Sequence, residues 1–231
     1  MRLDKYLAHA SGASRKQVKQ WIKSGRVSLQ GRPCRDAGAI VPGGADVTVD
    51  GDSLRLQGKR YIMLNKPAGS VSTAEHADER SVFGLLPAAV RRGLHVVGRL
   101  DVDTTGLLLL TDDGAWSHRI TAPSSHCLKQ YRVQLADPIE QSACDRLLEG
   151  VMLHDEKQPL RARALSVCHP TQVDITLGEG RYHQVKRMFA AVDNHVVGLH
   201  RLQIGELRLD SSLAEGEWRH LSEVEVDGLR L

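Results

Sequence analysis

Apolar residues near the start of this chain recur at helical spacing. Residues 3–10 place their apolar side chains on one side of a predicted helix. Ser14 and Gln17 have the spacing of a capping box and begin a second helix, which Gly25 ends. The predicted buried stripe of this second helix is Val18, Trp21 and Ile22. Short alternating runs around glycine-rich turns then predict small strands that close a compact unit near residue 55.

The rest of the chain reads as a strand-rich body with interspersed helices. The hydrophobic pattern predicts strands near residues 60–65, 94–98, 106–111, 129–136, 160–167, 172–177, 196–203 and 206–209. It predicts helices near residues 81–91, 115–121, 139–149 and 182–192. This order indicates an α+β fold whose mixed, mostly antiparallel sheet is flanked by helices. We expect two domains, at residues 1–55 and 56–231.

Charge divides the chain in the same way. Residues 1–60 carry 12 lysines and arginines against 5 acids, a net of +7, whereas the remaining residues carry 19 against 23, a net of −4. Five of these cations lie on the second helix or just after it, away from its apolar stripe. They are Arg15, Lys16, Lys19, Lys23 and Arg26. An ordinary solvated helix face is one interpretation, and binding to the phosphates of a nucleic acid is the other.

Composition and the N-terminus indicate a soluble protein of the reducing cytoplasm. The cysteines, Cys34, Cys127, Cys144 and Cys168, form no CxxC pair, so neither a zinc site nor a disulfide framework is indicated. The start MRLDKYLAHA lacks the apolar stretch of a signal peptide, and no apolar run approaches the length of a membrane span.

Asp101 is the most informative acid, because it lies in a loop between two apolar runs, in VVGRLDVDTTGLLLLTDDG. It could cap the following segment, as Asp112 and Asp113 are expected to do at their turn. It could hold a metal ion together with Asp103, as a D-x-D pair, or it could be a catalytic carboxylate. Spacing alone leaves all three open.

Two further segments carry candidate chemistry. EGRYHQVKRMFAAV begins a helix just after a glycine-rich break, and this segment carries Arg181, His183, Lys186 and Arg187. A helix N-terminus and cationic side chains both favour the binding of anions. In KQYRVQL, Tyr131 shares one strand face with apolar residues, as a half-buried core tyrosine would.

Taken together, these motifs resemble known families. SRKQVKQWIKSGRVSLQGRP is similar to the S4 RNA-binding domain. GRLD followed by TGLLLLT, the KQYRV strand, EGRYHQVKRMFAAV and LNKPAG resemble the pseudouridine synthases, in the branch that modifies small-subunit ribosomal RNA.

The resemblance implies a role for each matching residue. Asp101 would be the nucleophile on the target uridine, and Tyr131 would stack on the base near the proton to be removed. Lys186 would pair with the aspartate, and Arg99 would fill the gap left by the flipped uridine. The RNA itself would be bound by Arg181, His183 and Arg187, together with the cations of the second helix. Asp193 stands where relatives often have glycine, but an Asp-Asn pair tolerates positive φ.

The expected function is therefore isomerisation of one uridine in 16S ribosomal RNA. The enzyme would need no metal or cofactor, and it would act as a cytoplasmic monomer on a 30S precursor ribonucleoprotein. The alternatives are a sibling synthase acting on 23S RNA, a metal-dependent D-x-D RNA-processing enzyme, and a noncatalytic ribosome-assembly factor.

Overall fold

The computed structural model describes residues 1–55, 58–73 and 80–229. The chain divides into two compact units, Met1–Lys59 and Arg60–Leu231. The predicted boundary between residues 55 and 56 lies at the edge of the described residues. Within the described ranges, no helix is both long enough and apolar enough to cross a bilayer.

The first unit packs two helices on a small sheet. Helices α1 (Leu3–Ser11) and α2 (Arg15–Lys23) are followed by the antiparallel strands β1 (Val27–Leu29), β2 (Arg32–Pro33), β3 (Val47–Val49) and β4 (Asp52–Ser53). The predicted capping box is confirmed, because the side chains and backbone of Ser14 and Gln17 bond reciprocally at the start of α2. Val18 and Ile22 are buried, whereas Trp21 is only half-buried, with the Arg26 guanidinium 5.7 Å from its ring centre.

The second unit is built on a nine-stranded sheet. Its strands are β5 (Tyr61–Lys66), β6 (His95–Val97), β7 (Thr105–Thr111), β8 (Lys129–Leu135), β9 (Ala164–His169), β10 (Gln172–Leu177), β11 (Val196–Ile204), β12 (Leu207–Arg208) and β13 (Trp218–His220). The main order is β13-β5-β7-β11-β8-β10-β9, while β6 pairs with β7 and β12 with β11. The β7–β11 pair is parallel and the other described pairs are antiparallel, so the predicted α+β class with a mixed, mostly antiparallel sheet is confirmed.

Helices cover both faces of this sheet. They are α3 (Ala88–Arg91), α4 (Gly114–Thr121), α5 (Gln141–Glu149), α6 (Gln184–Ala190) and α7 (Glu223–Gly228), with 3₁₀ turns at Val82–Leu85 and Pro123–Ser125. Leu108 and Leu110 of β7 pack in the core with α5 and α6, whereas Leu107 and Leu109 pack with α4 and α7. Successive strand residues face opposite sides, so a run of four leucines is what two covered faces require.

Four elements differ from the prediction. The helix predicted over residues 81–91 is broken into a 3₁₀ turn and the short α3, with Pro87 between them. The strand predicted at residues 160–167 begins later, at Ala164, because Leu160 instead forms an isolated bridge with Val151. Strand β13 and helix α7 were not predicted from the pattern.

Candidate active site

A cavity of about 690 Å³ lies where the loop between β6 and β7 approaches the start of α6. Its wall includes most of the site residues predicted for the second unit, which come from distant parts of the chain. They are Arg99, Asp101, Tyr131, Arg181, His183 and Lys186. Volumes of this size are usual for small-molecule sites, and this one is large enough to receive a nucleotide.

The loop that carries Asp101 is anchored on both sides of that residue. The hydroxyl of Ser72 donates to the Leu100 carbonyl at 2.9 Å and accepts from the Leu100 amide at 3.2 Å. The Thr104 amide donates to the Asp101 carbonyl at 3.1 Å. Since Ser72 and Thr104 are buried, the backbone on both sides of Asp101 is fixed before any substrate arrives.

Two buried cations support the same loop. The fully buried Lys66 ammonium donates to the carbonyls of Thr104 at 2.8 Å, Pro67 at 3.1 Å and Val102 at 3.2 Å. The buried Arg201 guanidinium donates to the Gly98 and Leu107 carbonyls, both at 2.8 Å, and so ties together the two ends of the loop.

The acids of the loop also affect the pKa of Lys66. Burial lowers the pKa of Lys66 to about 8, and the negative charges of Asp103 and Asp101 oppose that shift. Burial likewise lowers the pKa of Lys129, a second buried lysine that does line the cavity and whose ammonium donates to the Cys127 carbonyl at 2.7 Å. The carboxylate of Asp101 therefore faces a wall whose buried charges are cationic.

The predicted pairing of Lys186 with Asp101 is wrong in this structure. The Lys186 ammonium contacts both carboxylate oxygens of Asp103 at 2.6 Å, and this hydrogen bonding holds the pKa of Asp103 below its usual value. Asp101 instead lies 3.5 Å from the His183 ring, Oδ1 to Nε2. The two acids of the D-x-D sequence thus contact different side chains, Asp101 the His183 ring and Asp103 the Lys186 ammonium.

This arrangement also bears on the D-x-D metal hypothesis. A pair of carboxylates that shared an ion would converge on one point, but Asp103 is bonded to an ammonium group. Among the described residues, no group of three or more His, Cys, Asp or Glu side chains converges as metal ligands.

Of two further predicted site residues, Tyr131 is buried and Arg99 is exposed. The Tyr131 side chain, on β8, is buried with 8% of its surface exposed, yet it lines the cavity. Arg99 is exposed, and its guanidinium makes no hydrogen bond or ion pair to any described residue. An arginine in this state retains its donors for a partner outside the chain.

Arg181 and Arg187, both predicted to bind RNA, have protein partners. The Arg187 guanidinium donates to the carbonyls of Tyr182 and His154 and lies 3.7 Å from Glu156. Arg181 lies 3.8 Å from the same Glu156 but remains 55% exposed. Arg187 therefore supports the loop before α6, while Arg181 is the more accessible of the two.

Sequence reasoning missed Lys66, Ser72 and Arg201. A lysine in LNKP and an arginine in an alternating strand give no signal that they will be buried, because their burial depends on strand pairing. Other predictions were correct: Asp113 caps α4 through the Ala115 and Trp116 amides, and Asp193 has the expected positive φ of 62°.

The cationic face of α2 is exposed as predicted. Arg15, Lys16, Lys19 and Lys23 are exposed. Arg26 is also exposed, but its guanidinium forms an ion pair with Asp50. The sequence did not indicate this partner, because Asp50 follows a separate strand.

Comparisons with known proteins find matches for both units of the chain. A family model described as RNA pseudouridylate synthase matches residues 60–191, and an S4 domain model matches residues 1–47. The chain is 49% identical to ribosomal small subunit pseudouridine synthase A of Escherichia coli K12, over 98% of both chains. It is 43% identical to the Haemophilus influenzae protein of that name, over 99% of both chains.

A solved structure extends the similarity to three dimensions. A crystal structure of a pseudouridylate synthase superimposes with a TM-score of 0.72 and 42% identity, over 99% of both chains. The resemblance found in the sequence motifs is thereby confirmed. The chain belongs to the RNA pseudouridylate synthase family, as an RNA pseudouridine synthase with an S4 domain at its N-terminus.

Proposed function

We propose that this enzyme isomerises one uridine of 16S ribosomal RNA to pseudouridine, with Asp101 as the nucleophile. The supporting observation is the placement of the Asp101 carboxylate, on an anchored loop, in the wall of a cavity that also contains Tyr131. The choice of small-subunit RNA rests on relatives named as small subunit synthases that match almost the whole chain.

The reaction rearranges bonds without redox change. The glycosidic C1′–N1 bond breaks, the uracil turns within the cavity, and a C1′–C5 bond forms; C5 loses a proton and N1 gains one. A carboxylate suits this sequence because it is a moderate nucleophile that can add and leave again. The buried Tyr131 ring supplies a flat surface for the detached base, next to the proton that must be removed.

Base flipping supplies access to the cavity. A uridine stacked in RNA cannot reach Asp101, so it must leave the stack, at a cost of a few kcal/mol. Arg99 is exposed beside Asp101 and has no described protein partner, so its guanidinium is free to fill the vacated space. Lys186, held by Asp103, adds a cation to the cavity wall near the RNA backbone.

The S4 unit contributes docking. The exposed cations of α2 would bind phosphates of a structured substrate, which we propose is a 30S precursor ribonucleoprotein. Residues 1–55 then serve as the docking domain and residues 56–231 as the catalytic domain of a cytoplasmic monomer that needs no metal or cofactor.

Mapping of pseudouridine tests this function directly. Cells that lack the protein should lose one pseudouridine from 16S RNA, and the wild-type gene should restore it. Asp101→Asn keeps the side-chain shape but removes the carboxylate, so the variant should bind RNA and form no detectable pseudouridine. The matched control is Asp137→Asn, which changes an exposed acid outside the cavity and should restore the site fully.

Loss of a 23S site instead would move the substrate to the large subunit. Measurable turnover by a verified Asp101→Asn preparation would remove Asp101 as the nucleophile. Loss of turnover in excess EDTA would support a metal-dependent mechanism against this one.

A further inference from the structure

Tyr182 differs from every other tyrosine of the chain. Its side chain is 77% exposed, whereas Tyr6 and Tyr131 are buried and Tyr61 is half-buried, with its hydroxyl bonded to Asp113. An exposed aromatic ring contributes little to a folded core, so its position requires a different explanation. Tyr182 also lines the cavity that contains Asp101.

The ring of Tyr182 has one covered face and one open face. It stacks on the His183 imidazole, with ring centres 3.9 Å apart and planes inclined by 17°. The His183 ring in turn lies 3.5 Å from Asp101. Because Tyr182 remains mostly exposed despite this stack, its opposite face is open to solvent.

The backbone beneath the ring is fixed. The Tyr182 carbonyl accepts a hydrogen bond from Arg187 at 3.2 Å, and His183 adopts a left-handed conformation with φ of 47°. The buried Gln184 accepts from the Arg181 amide at 2.9 Å and donates to Glu179 at 2.7 Å. A surface that is ordered before binding loses little conformational entropy on binding.

The two cavity tyrosines suit different nucleotides. Tyr131 is buried and can meet only a base that enters the cavity, whereas Tyr182 is exposed at its rim. A uridine inside the cavity remains joined to its neighbours, which must lie at that rim. Every nucleobase has a flat π face, so stacking there would be strong without selecting a sequence.

We propose that the open face of Tyr182 binds, by stacking, a nucleobase adjacent to the target uridine. This inference rests on the proposed function, because it requires RNA with a flipped uridine in the cavity. The exposed guanidiniums of Arg99 and Arg181, on the same cavity wall, suit the phosphates of that strand. The Tyr182 ring, rather than its hydroxyl, is the binding group.

Kinetics of three Tyr182 variants test this proposal on 30S precursor particles reconstituted with 16S RNA that contains the mapped uridine. Tyr182→Ala should raise KM about five- to 100-fold, with kcat within about twofold of wild type. Tyr182→Phe should match wild type, and Tyr182→Leu should resemble Tyr182→Ala because it lacks a π face. Val224→Ala, at an 82% exposed position of α7, is the matched control and should leave KM unchanged.

An RNA with an abasic nucleotide beside the uridine completes the test. If Tyr182 stacks on that base, the abasic RNA should raise KM for wild type, and Tyr182→Ala should add no further loss. Additive losses on both flanking abasic RNAs, or an unchanged KM for Tyr182→Ala, would overturn the proposal. Wild-type enzyme that forms no pseudouridine in 16S RNA would instead overturn the proposed function, and this inference with it.

Discussion

The Lys186 ammonium supplies a positive charge to the wall of the cavity that contains Asp101. It contacts both carboxylate oxygens of Asp103, two residues farther along the chain. The motif placed this lysine near the loop of Asp101 but did not identify its partner, because a loop can direct alternate side chains to different neighbours. A motif therefore predicts which residues meet at a site better than it predicts which atoms pair.

Lys186→Met tests the charge on the cavity wall. We expect kcat/KM to fall at least about tenfold, since the change removes a cation and leaves Asp103 as an unbalanced negative charge near the RNA. Stability should change by less than about 1 kcal/mol, because Asp103 is 69% exposed and exposed ion pairs contribute little. Single-turnover kinetics measure the change in kcat/KM, and urea unfolding measures the change in the free energy of unfolding.

Asp103→Asn completes a double-mutant cycle with Lys186→Met. The double variant restores local charge balance, so it should be more active than Lys186→Met alone. If the loss of activity in the double variant equals the sum of the losses in the two single variants, Asp103 and Lys186 act independently.

Lys66 predicts a pH dependence of stability. Its pKa in the fold is about 8, below the ordinary value of 10.5, so between these pH values the unfolded chain binds more protons than the folded chain. The contribution of Lys66 to stability must therefore rise as pH increases from about 8 to 10.5. The free energy of unfolding of wild type minus that of Lys66→Met should grow by up to about 3 kcal/mol across this window.

Urea unfolding of both proteins at several pH values measures this difference. Subtraction of the variant cancels the titration of the other lysines. A difference that stays constant with pH would show that Lys66 keeps its ordinary pKa in the fold.

At the scale of elements, sequence periodicity identified the strands whose own residues form a clear apolar pattern. The run of leucines predicts a strand near residues 106–111, and the structure has β7 there, with its leucines buried on both faces of the sheet. Strand β13 is short and α7 carries several acids, so neither has enough apolar positions to reveal a period. The parallel β7–β11 pair joins residues almost 100 positions apart, and local pattern contains no such information.

Gly106 tests that parallel pair. A Cβ at this position would lie 2.4 Å from the Arg201 carbonyl oxygen and 2.8 Å from the Arg201 nitrogen, and φ at Gly106 is 98°. Gly106→Ala should therefore force β7 away from β11 and destabilise the catalytic unit by about 2–4 kcal/mol. It should also reduce activity, because Arg201 ties down the loop of Asp101.

The matched control is Gly114→Ala at the start of α4, where a Cβ would meet no atom within 4 Å. This variant should be neutral or slightly more stable, because alanine favours helix over glycine. Equal melting temperatures for the two variants would show that β7 and β11 are not held in close contact.

At the scale of the whole molecule, the chain combines a cationic unit with a mildly acidic catalytic body. The sequence alone reveals this division, because the net charge of each part follows from its residues and does not depend on the fold. In the proposed function one unit attracts the RNA and the other processes it, so affinity and catalysis should be separable by mutation. The cationic face of α2 is where this separation can be measured.

The triple variant Lys16→Gln, Lys19→Gln and Lys23→Gln tests whether that face binds phosphates. Each phosphate contact contributes about 0.7–0.9 to the slope of log affinity against log salt, so the slope should flatten by roughly 2. Catalysis at saturating RNA should persist, because Asp101 belongs to the other unit. Arg26 is left unchanged because Asp50 already pairs with it.

Binding is measured by titration of a 30S precursor particle at several salt concentrations. The control changes Lys5 and Lys157 to glutamine, which are exposed lysines outside α2, and should leave the slope nearly unchanged. A triple variant with the wild-type slope would show that these lysines are only solvated, and the S4 unit would then have to bind RNA through another surface. Equal flattening per lysine removed, three in the triple variant and two in the control, would instead indicate that net charge, and not the position of the lysines on α2, attracts the RNA.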